Sequence, residues 1–83
     1  MKQKKIKFYG SAWCPDCIRS KQFLDDYNVS YEYIDIQVNE GAVEEVMRIN
    51  NGMQSIPTIV CSNGKVLVEP TNQMLEECIR KIS

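Results

Sequence analysis

Two cysteines separated by two residues, Cys14-Pro15-Asp16-Cys17, sit at a seam between two incompatible hydrophobic periods. Upstream, Lys5 to Tyr9 alternates polar and apolar side chains and reads as a strand; downstream, Cys17, Lys21, Leu24 and Tyr27 with Asn28 recur at helical spacing. Gly10 and Ser11 turn the chain between them, and Pro15 suits a first helical position, so both thiols arrive at a helix N-terminus. The unpaired N–H groups of a first helical turn favour a sulfur anion, and the thiolate is the attacking species in disulfide exchange. Cys14 is therefore the candidate nucleophile. Cys17, one turn further on, either resolves the product by closing an intramolecular disulfide or packs beneath the helix while an external thiol regenerates Cys14.

Composition narrows the chemistry further. A chain of 83 residues supports one domain, residues 1–83, with one modest core. A net charge of -1 offers no general attraction to nucleic acid or anionic lipid, so neither is expected as a partner. The basic start, Lys2, Lys4, Lys5 and Lys7, runs into the strand without the apolar stretch of a secretory leader, and no segment is long and apolar enough to span a bilayer. A cytoplasmic location is the resulting expectation, and in that reducing setting permanent structural disulfides are not expected. Histidine is absent, which removes Ser-His and Cys-His nucleophile pairs and mixed Cys/His zinc sites and leaves sulfur and carboxylates to do any chemistry.

The remaining elements can be read from pattern. The first helix should run from Pro15 to about Asn28, with Arg19, Gln22, Asp25 and Asp26 on its wet face. Tyr31, Tyr33, Ile34 and Ile36 make a second strand, and a return through a helix implies a parallel pair. Ala42, Val43, Val46, Met47 and Asn50 trace a second helix within 40–51, closed by Gly52 in a left-handed conformation. Thr58 to Cys61 and Lys65 to Val68 flank Ser62-Asn63-Gly64 and predict an antiparallel hairpin. Pro70 breaks the chain, Thr71 can cap a last helix, and Met74, Leu75, Cys78, Ile79 and Ile82 form the apolar face of that helix. The order β-α-β-α-β-β-α predicts a minimal α/β fold of the thioredoxin type, a four-stranded mixed sheet in spatial order 2-1-3-4 with helices on both faces.

Other residues extend the candidate site. Trp13 either presents a flat apolar platform to a docking thiol or peptide, or packs to fix the loop. Asp16 suits the positive end of a helix but opposes a neighbouring thiolate, so its two effects partly cancel. Cys61 and Cys78 fall on a strand and on an apolar helix face, where cysteine behaves as a small hydrophobe, and both are expected as buried core thiols. Their spacing does not supply the second close pair of a structural zinc site, and no metal is expected.

With Trp13-Cys14-Pro15-Asp16-Cys17, Ser55-Ile56-Pro57-Thr58 and the element order in view, the chain resembles the glutaredoxin family over nearly its whole length, with features of its mycoredoxin branch: Tyr9, Asp35-Ile36, Asn50-Asn51-Gly52 and Pro70-Thr71. The resemblance implies an oxidoreductase acting on mixed or protein disulfides, with Trp13 and Pro15 flanking the nucleophile. It also implies a cis peptide before Pro57, an Ile56-Pro57 loop that pairs with substrate, and Thr71 and Asn72 facing a groove for a small thiol. No bound cofactor is implied; glutathione or another low-molecular-weight thiol would serve as co-substrate, or a flavin-dependent reductase as electron donor, with the enzyme acting as a monomer. Ser11 stands where glutathione-using relatives usually carry lysine, and Val68-Glu69-Pro70-Thr71-Asn72 replaces a Gly-Gly turn, which leaves the identity of the thiol open. Two other readings stay beside this one: a thioredoxin-like electron donor to one reductase or peroxidase, and a module binding Cu(I) or an iron–sulfur cluster through Cys14 and Cys17.

Overall fold

Alternating side chains give β1 (Ile6–Gly10) two different faces, and the rest of the fold is arranged around that difference. The computed structural model describes residues 5–80, so Lys2, Lys4 and Ile82 lie outside the described residues. After β1 come α1 (Pro15–Asp26), β2 (Tyr31–Asp35), α2 (Ala42–Ile49), β3 (Thr58–Val60), β4 (Val66–Val68) and α3 (Asn72–Arg80). The sheet order is β2-β1-β3-β4, with β1 and β2 parallel and the other two pairings antiparallel, as the element pattern predicted.

Register explains the core. Ile6 pairs with Tyr31, Phe8 with Tyr33 and Ile59, and Ile59 with Leu67, so one face of the sheet presents a continuous apolar row. The Phe8 ring lies 5.8 Å from Tyr31 and 5.3 Å from Tyr33, centroid to centroid. Leu24 of α1 and Leu75 of α3 are fully buried in the same cluster, each such side chain contributing about 1.5–3 kcal/mol relative to exposure. On the other face Lys7, Tyr9, Glu32, Val60 and Val66 share a groove of about 500 Å³ with Arg48 of α2. Asn50, placed by spacing on the apolar stripe of α2, instead ties that helix to β3: its Nδ2 donates to Thr58 Oγ1 at 2.7 Å, and the Thr58 hydroxyl donates to Ser55 O at 2.7 Å.

Several local expectations are corrected. α1 stops at Asp26 rather than Asn28, because Asn28 takes a left-handed conformation (φ 56°) and Val29 N–H closes back on Leu24 O at 3.1 Å. Its buried stripe is Cys17, Ser20 and Leu24; Lys21 and Tyr27 are exposed, Lys21 reaching Asp25 and Tyr27 stacking on Phe23. The Ser20 hydroxyl is buried without a hydrogen-bond partner, a position its polarity disguised in the sequence. At the end of α2 the left-handed turn begins at Asn51 (φ 56°), one residue before Gly52 (φ 94°). In the β3–β4 turn Gly64 adopts positive φ, whereas the side chain of Asn63 accepts from Lys65 N–H. Met74 is substantially exposed, and the apolar face of α3 is carried by Leu75 and Cys78 with Ile79 packed beside them.

The largest correction concerns Cys61 and Cys78. Both are buried, as expected, but they are bonded to each other rather than free, with Cα atoms 5.9 Å apart and a sequence separation of 17. Strand and helix positions that each looked like separate hydrophobic sites converge because α3 packs across β3, a contact the linear pattern does not contain. The bond closes a loop that includes β4 and the entry to α3, and such a loop stabilises chiefly by restricting the unfolded chain. Replacing both residues, Cys61→Ala with Cys78→Ala, should lower unfolding free energy by about 3 kcal/mol in a denaturant titration. A thiol count on folded wild-type protein after mild reduction should give two reactive sulfurs under denaturing readout, not four.

Candidate active site

The site is assembled at the junction of β1 and α1. Cys14 is the N-cap residue of α1, with extended backbone (φ -90°, ψ 115°), and Pro15 opens the helix. Cys17 N–H, three residues on, donates to Cys14 Sγ at 3.2 Å, so the sulfur occupies the position in which a serine or aspartate cap oxygen would sit. Ser11 holds the approach: its carbonyl accepts from Cys14 N–H and its hydroxyl from Trp13 N–H, both at 3.2 Å. Cys14 is partly exposed, whereas Cys17 is buried.

Burial separates the two thiols chemically. It is the main cause that pushes the Cys17 thiol up to about 12; the Cys14 sulfur and the Asp16 carboxylate add to it and a backbone hydrogen bond from Ser11 opposes it. Cys17 is therefore a neutral thiol at physiological pH. Gly10 makes this packing possible, since a Cβ there would stand 2.8 Å from the Phe8 ring and 3.0 Å from Cys17 Sγ. By sequence Gly10 reads only as a loop residue; its placement at the last position of the strand before the cysteines is the signal that could have marked it.

A second wall comes from the loop before β3. The Ile56–Pro57 peptide is cis, matching what the family resemblance implied, and the Cys14 thiol points at Ile56 O, 4.0 Å away. Pro57 O accepts from Glu69 N–H at 2.8 Å, which brings the segment before α3 alongside the proline loop. Thr71 caps α3 through its hydroxyl, which accepts from Met74 N–H at 3.2 Å. Arg19, placed on the wet face by its periodicity, crosses from α1 to this segment: one guanidinium nitrogen donates to Pro70 O at 2.7 Å, another to Asn72 Oδ1, and Nε lies 3.7 Å from Asp16 Oδ1.

The structure thus sets Ile56 against Cys14, with Pro57 buried behind it, and links Asp16 to Asn72 through Arg19, with Thr71 next to Asn72 at the start of α3. The Trp13 ring is 80% exposed beside it, which removes the alternative that it packs to fix the loop. Arg19 does not stand out in the sequence as a site residue, although its position three residues after Asp16 on a helix marks an ion pair. The groove of about 500 Å³ lies on the opposite face of the sheet and includes neither active-site thiol, while a smaller hollow of about 220 Å³, lined by Ala12, Ile18 and Tyr33, reaches Cys17 from the side of β2. Among the described residues, no group of three or more cysteine or carboxylate side chains is arranged to hold a metal ion, and no helix is long and apolar enough to cross a membrane.

The division between the thiols can be read by alkylation. Reduced protein at neutral pH should take up one equivalent of iodoacetamide, at Cys14, with Cys17 modified only after unfolding, as peptide mapping would report. The raised Cys17 value also sets a pH window. Between 9.0 and about 12 an unfolded chain ionises this thiol while the folded chain holds its proton, so stability should fall as pH rises through that interval. Cys17→Ala should flatten that part of the stability–pH curve. Gly10→Ala should cost about 1–3 kcal/mol in the same measurement, since neither the Phe8 ring nor the buried sulfur can yield freely.

Comparison with known proteins places this geometry among relatives. Residues 6–67 match the family model for glutaredoxin. A Mycobacterium tuberculosis protein assigned to the glutaredoxins is 30% identical over 78 residues, covering 94% of this chain and 93% of the relative. Mycoredoxin 1 of Corynebacterium glutamicum is 34% identical over 77 residues, 93% of this chain and 91% of its own length. Among solved structures, a glutaredoxin from Archaeoglobus fulgidus superposes with a TM-score of 0.81 at 31% identity, covering 92% of this chain and 86% of that one.

Proposed function

The chain belongs to the glutaredoxin family and is a thiol–disulfide oxidoreductase, and from that premise we propose that it reduces mixed disulfides between proteins and low-molecular-weight thiols, with Cys14 as the attacking sulfur. The observation that carries this reading is the asymmetry of the pair: Cys14 Sγ is partly exposed at a helix N-cap and accepts a backbone N–H, while Cys17 is buried and protonated.

In the proposed sequence the Cys14 thiolate attacks the sulfur contributed by the small thiol. The protein substrate leaves as its thiolate, takes a proton from solvent, and Cys14 is left disulfide-bonded to the small thiol. A second small thiol then attacks the small-thiol sulfur of that bond through its own thiolate, releasing Cys14 as its thiolate and departing as a symmetric disulfide, so each protein thiol freed consumes one free small thiol. Burial of Cys17 supports this external route, because an attacking sulfur must first give up its proton. The competing step, attack of Cys17 on Cys14 with closure of the intramolecular disulfide, would return the enzyme to a state needing separate reduction.

Trp13, Pro15 and Asp16 together with Ile56, Pro57, Thr71 and Asn72 form the proposed docking surface. The exposed indole supplies apolar area, and the Ile56–Pro57 loop lies against Cys14 where an extended peptide segment would run. One core cluster running from Ile6 of β1 to Cys78 of α3 supports reading the unit as one domain, and monomeric action is part of the proposal. Dependence on a pool of small thiols fits the cytoplasmic setting expected from sequence. The Cys61–Cys78 bond is compatible with that setting because both sulfurs are buried from attacking thiols.

Turnover of peptide mixed disulfides built from glutathione, cysteine and coenzyme A tests the proposal. Cys14→Ser should lose at least about 10³-fold in rate, the order expected when a nucleophile is removed. Cys17→Ser should keep most of its activity with excess small thiol. If instead Cys17→Ser is inactive and wild-type protein accepts electrons only from a flavin-dependent reductase, the dithiol electron-donor reading replaces this one.

A further inference from the structure

Asp16 poses a physical problem at this site. A carboxylate one residue into the helix suits the helix dipole, yet it lies two residues along the chain from the cysteine whose sulfur must carry negative charge. Arg19 answers it from the next turn. Its Nε lies 3.7 Å from Asp16 Oδ1, and its other two nitrogens are spent on a different element, donating to Pro70 O at 2.7 Å and to Asn72 Oδ1. One planar group thus faces the motif with one edge and the entry to α3 with the other.

The second edge bears on substrate. The segment 69–72 is held by Pro70, which is fully buried, by Glu69 in a left-handed conformation (φ 49°) with its N–H donating to Pro57 O, and by Thr71, which caps α3. Arg19 adds the cross-links to the helix that carries Cys14, so it sets the distance between the attacking sulfur and the Pro70–Asn72 wall. A lysine could supply the charge but not a planar fork that reaches two acceptors at once.

We propose that Arg19 is the positioning residue of this active site: it neutralises Asp16, two residues along the chain from Cys14, and, through Pro70 and Asn72, holds the wall of the small-thiol groove in register with the Cys14 sulfur. The assignment of the wall to a small thiol rests on the function proposed above; the electrostatic part does not.

Two readouts separate the two parts. The first is the rate of Cys14 alkylation by iodoacetamide, a neutral reagent whose approach Arg19 cannot steer, in protein shown by thermal melting to be folded. Arg19→Gln should slow it by about two- to fivefold at low ionic strength, the size expected of a partly exposed ion pair, with the difference shrinking in high salt. The same substitution made in an Asp16→Asn background should have little effect, and Arg19→Lys should alkylate within about twofold of wild type, because charge is what this readout tracks. The second is steady-state turnover of a peptide–glutathione mixed disulfide, where both Arg19→Gln and Arg19→Lys should raise KM by about tenfold with a smaller change in kcat, reflecting loss of charge-assisted hydrogen bonds to the wall.

An Arg19→Gln protein that alkylates at the wild-type rate, or that slows equally in the Asp16→Asn background, overturns the electrostatic role. An unchanged KM in Arg19→Gln, or a KM restored by Arg19→Lys, overturns the positioning role. Should wild-type protein turn over no peptide–glutathione disulfide, glutathione is the wrong thiol for this enzyme, while the alkylation series still decides what Arg19 does to Cys14.

Discussion

The bond from Cys17 N–H to Cys14 Sγ is the interaction on which the rest of the molecule depends. It exists only if the helix begins at Pro15, so that the amide three residues past Cys14 is one of the orphan donors of a first turn. That start in turn requires β1 to end at Gly10 and the chain to reverse through Ser11, whose carbonyl and hydroxyl hold the amides of Cys14 and Trp13. Parallel pairing of β1 with β2, and the packing of Phe8 against Tyr31 and Tyr33, anchor the strand that delivers the loop. Disturbing any of these moves a sulfur, which is why core and catalytic geometry cannot be separated in a chain this small.

Two cysteines of the same motif receive opposite environments at a cost of only one helical turn. Cys14 caps the helix at the surface, and Cys17 points inward against Gly10 and Phe8. The dipoles of the first turn act on the outer sulfur, while desolvation acts on the inner one. Asp16 and Arg19 then form a local charge pair at the mouth of the site, so the carboxylate's interaction with the helix terminus is kept and its repulsion of the sulfur is offset.

The second cysteine pair has a different task. Cys61 and Cys78 are sealed in the core that α3 forms with the sheet, away from solvent and from the exchanging sulfurs. They tie the end of β3 to the last helix around the segment that carries Pro70, Thr71 and Asn72. Stability from this cross-link comes from limiting the unfolded chain, whereas the active pair depends on remaining open to exchange. One domain therefore holds one disulfide with both sulfurs buried and one free pair whose outer sulfur, Cys14, stays partly exposed.

Much of this was written in local pattern. The switch from a period of two to a period of 3.6 around Cys14, the Asn-Gly turn, and Pro70 followed by a capping Thr71 identified every element in order, because periodicity and turn chemistry act over a few residues. The placement of Cys14 and Cys17 at a helix N-terminus was legible for the same reason, since a helix N-terminus is a local event. Contacts between segments distant along the chain were not. That Cys61 meets Cys78, that Ser20 rather than Lys21 faces the core, and that Arg19 reaches across to Pro70 and Asn72 depend on how α1 and α3 pack side by side on one face of the sheet. Spacing assigns a residue to a stripe but leaves the rotation of that stripe against its neighbours undetermined, and long side chains such as arginine can leave a wet face for a partner more than fifty residues away. The sequence alone determined which elements form and which sulfur is presented; the tertiary structure decided which distant groups surround it, because only packing brings those groups within hydrogen-bonding or bonding distance.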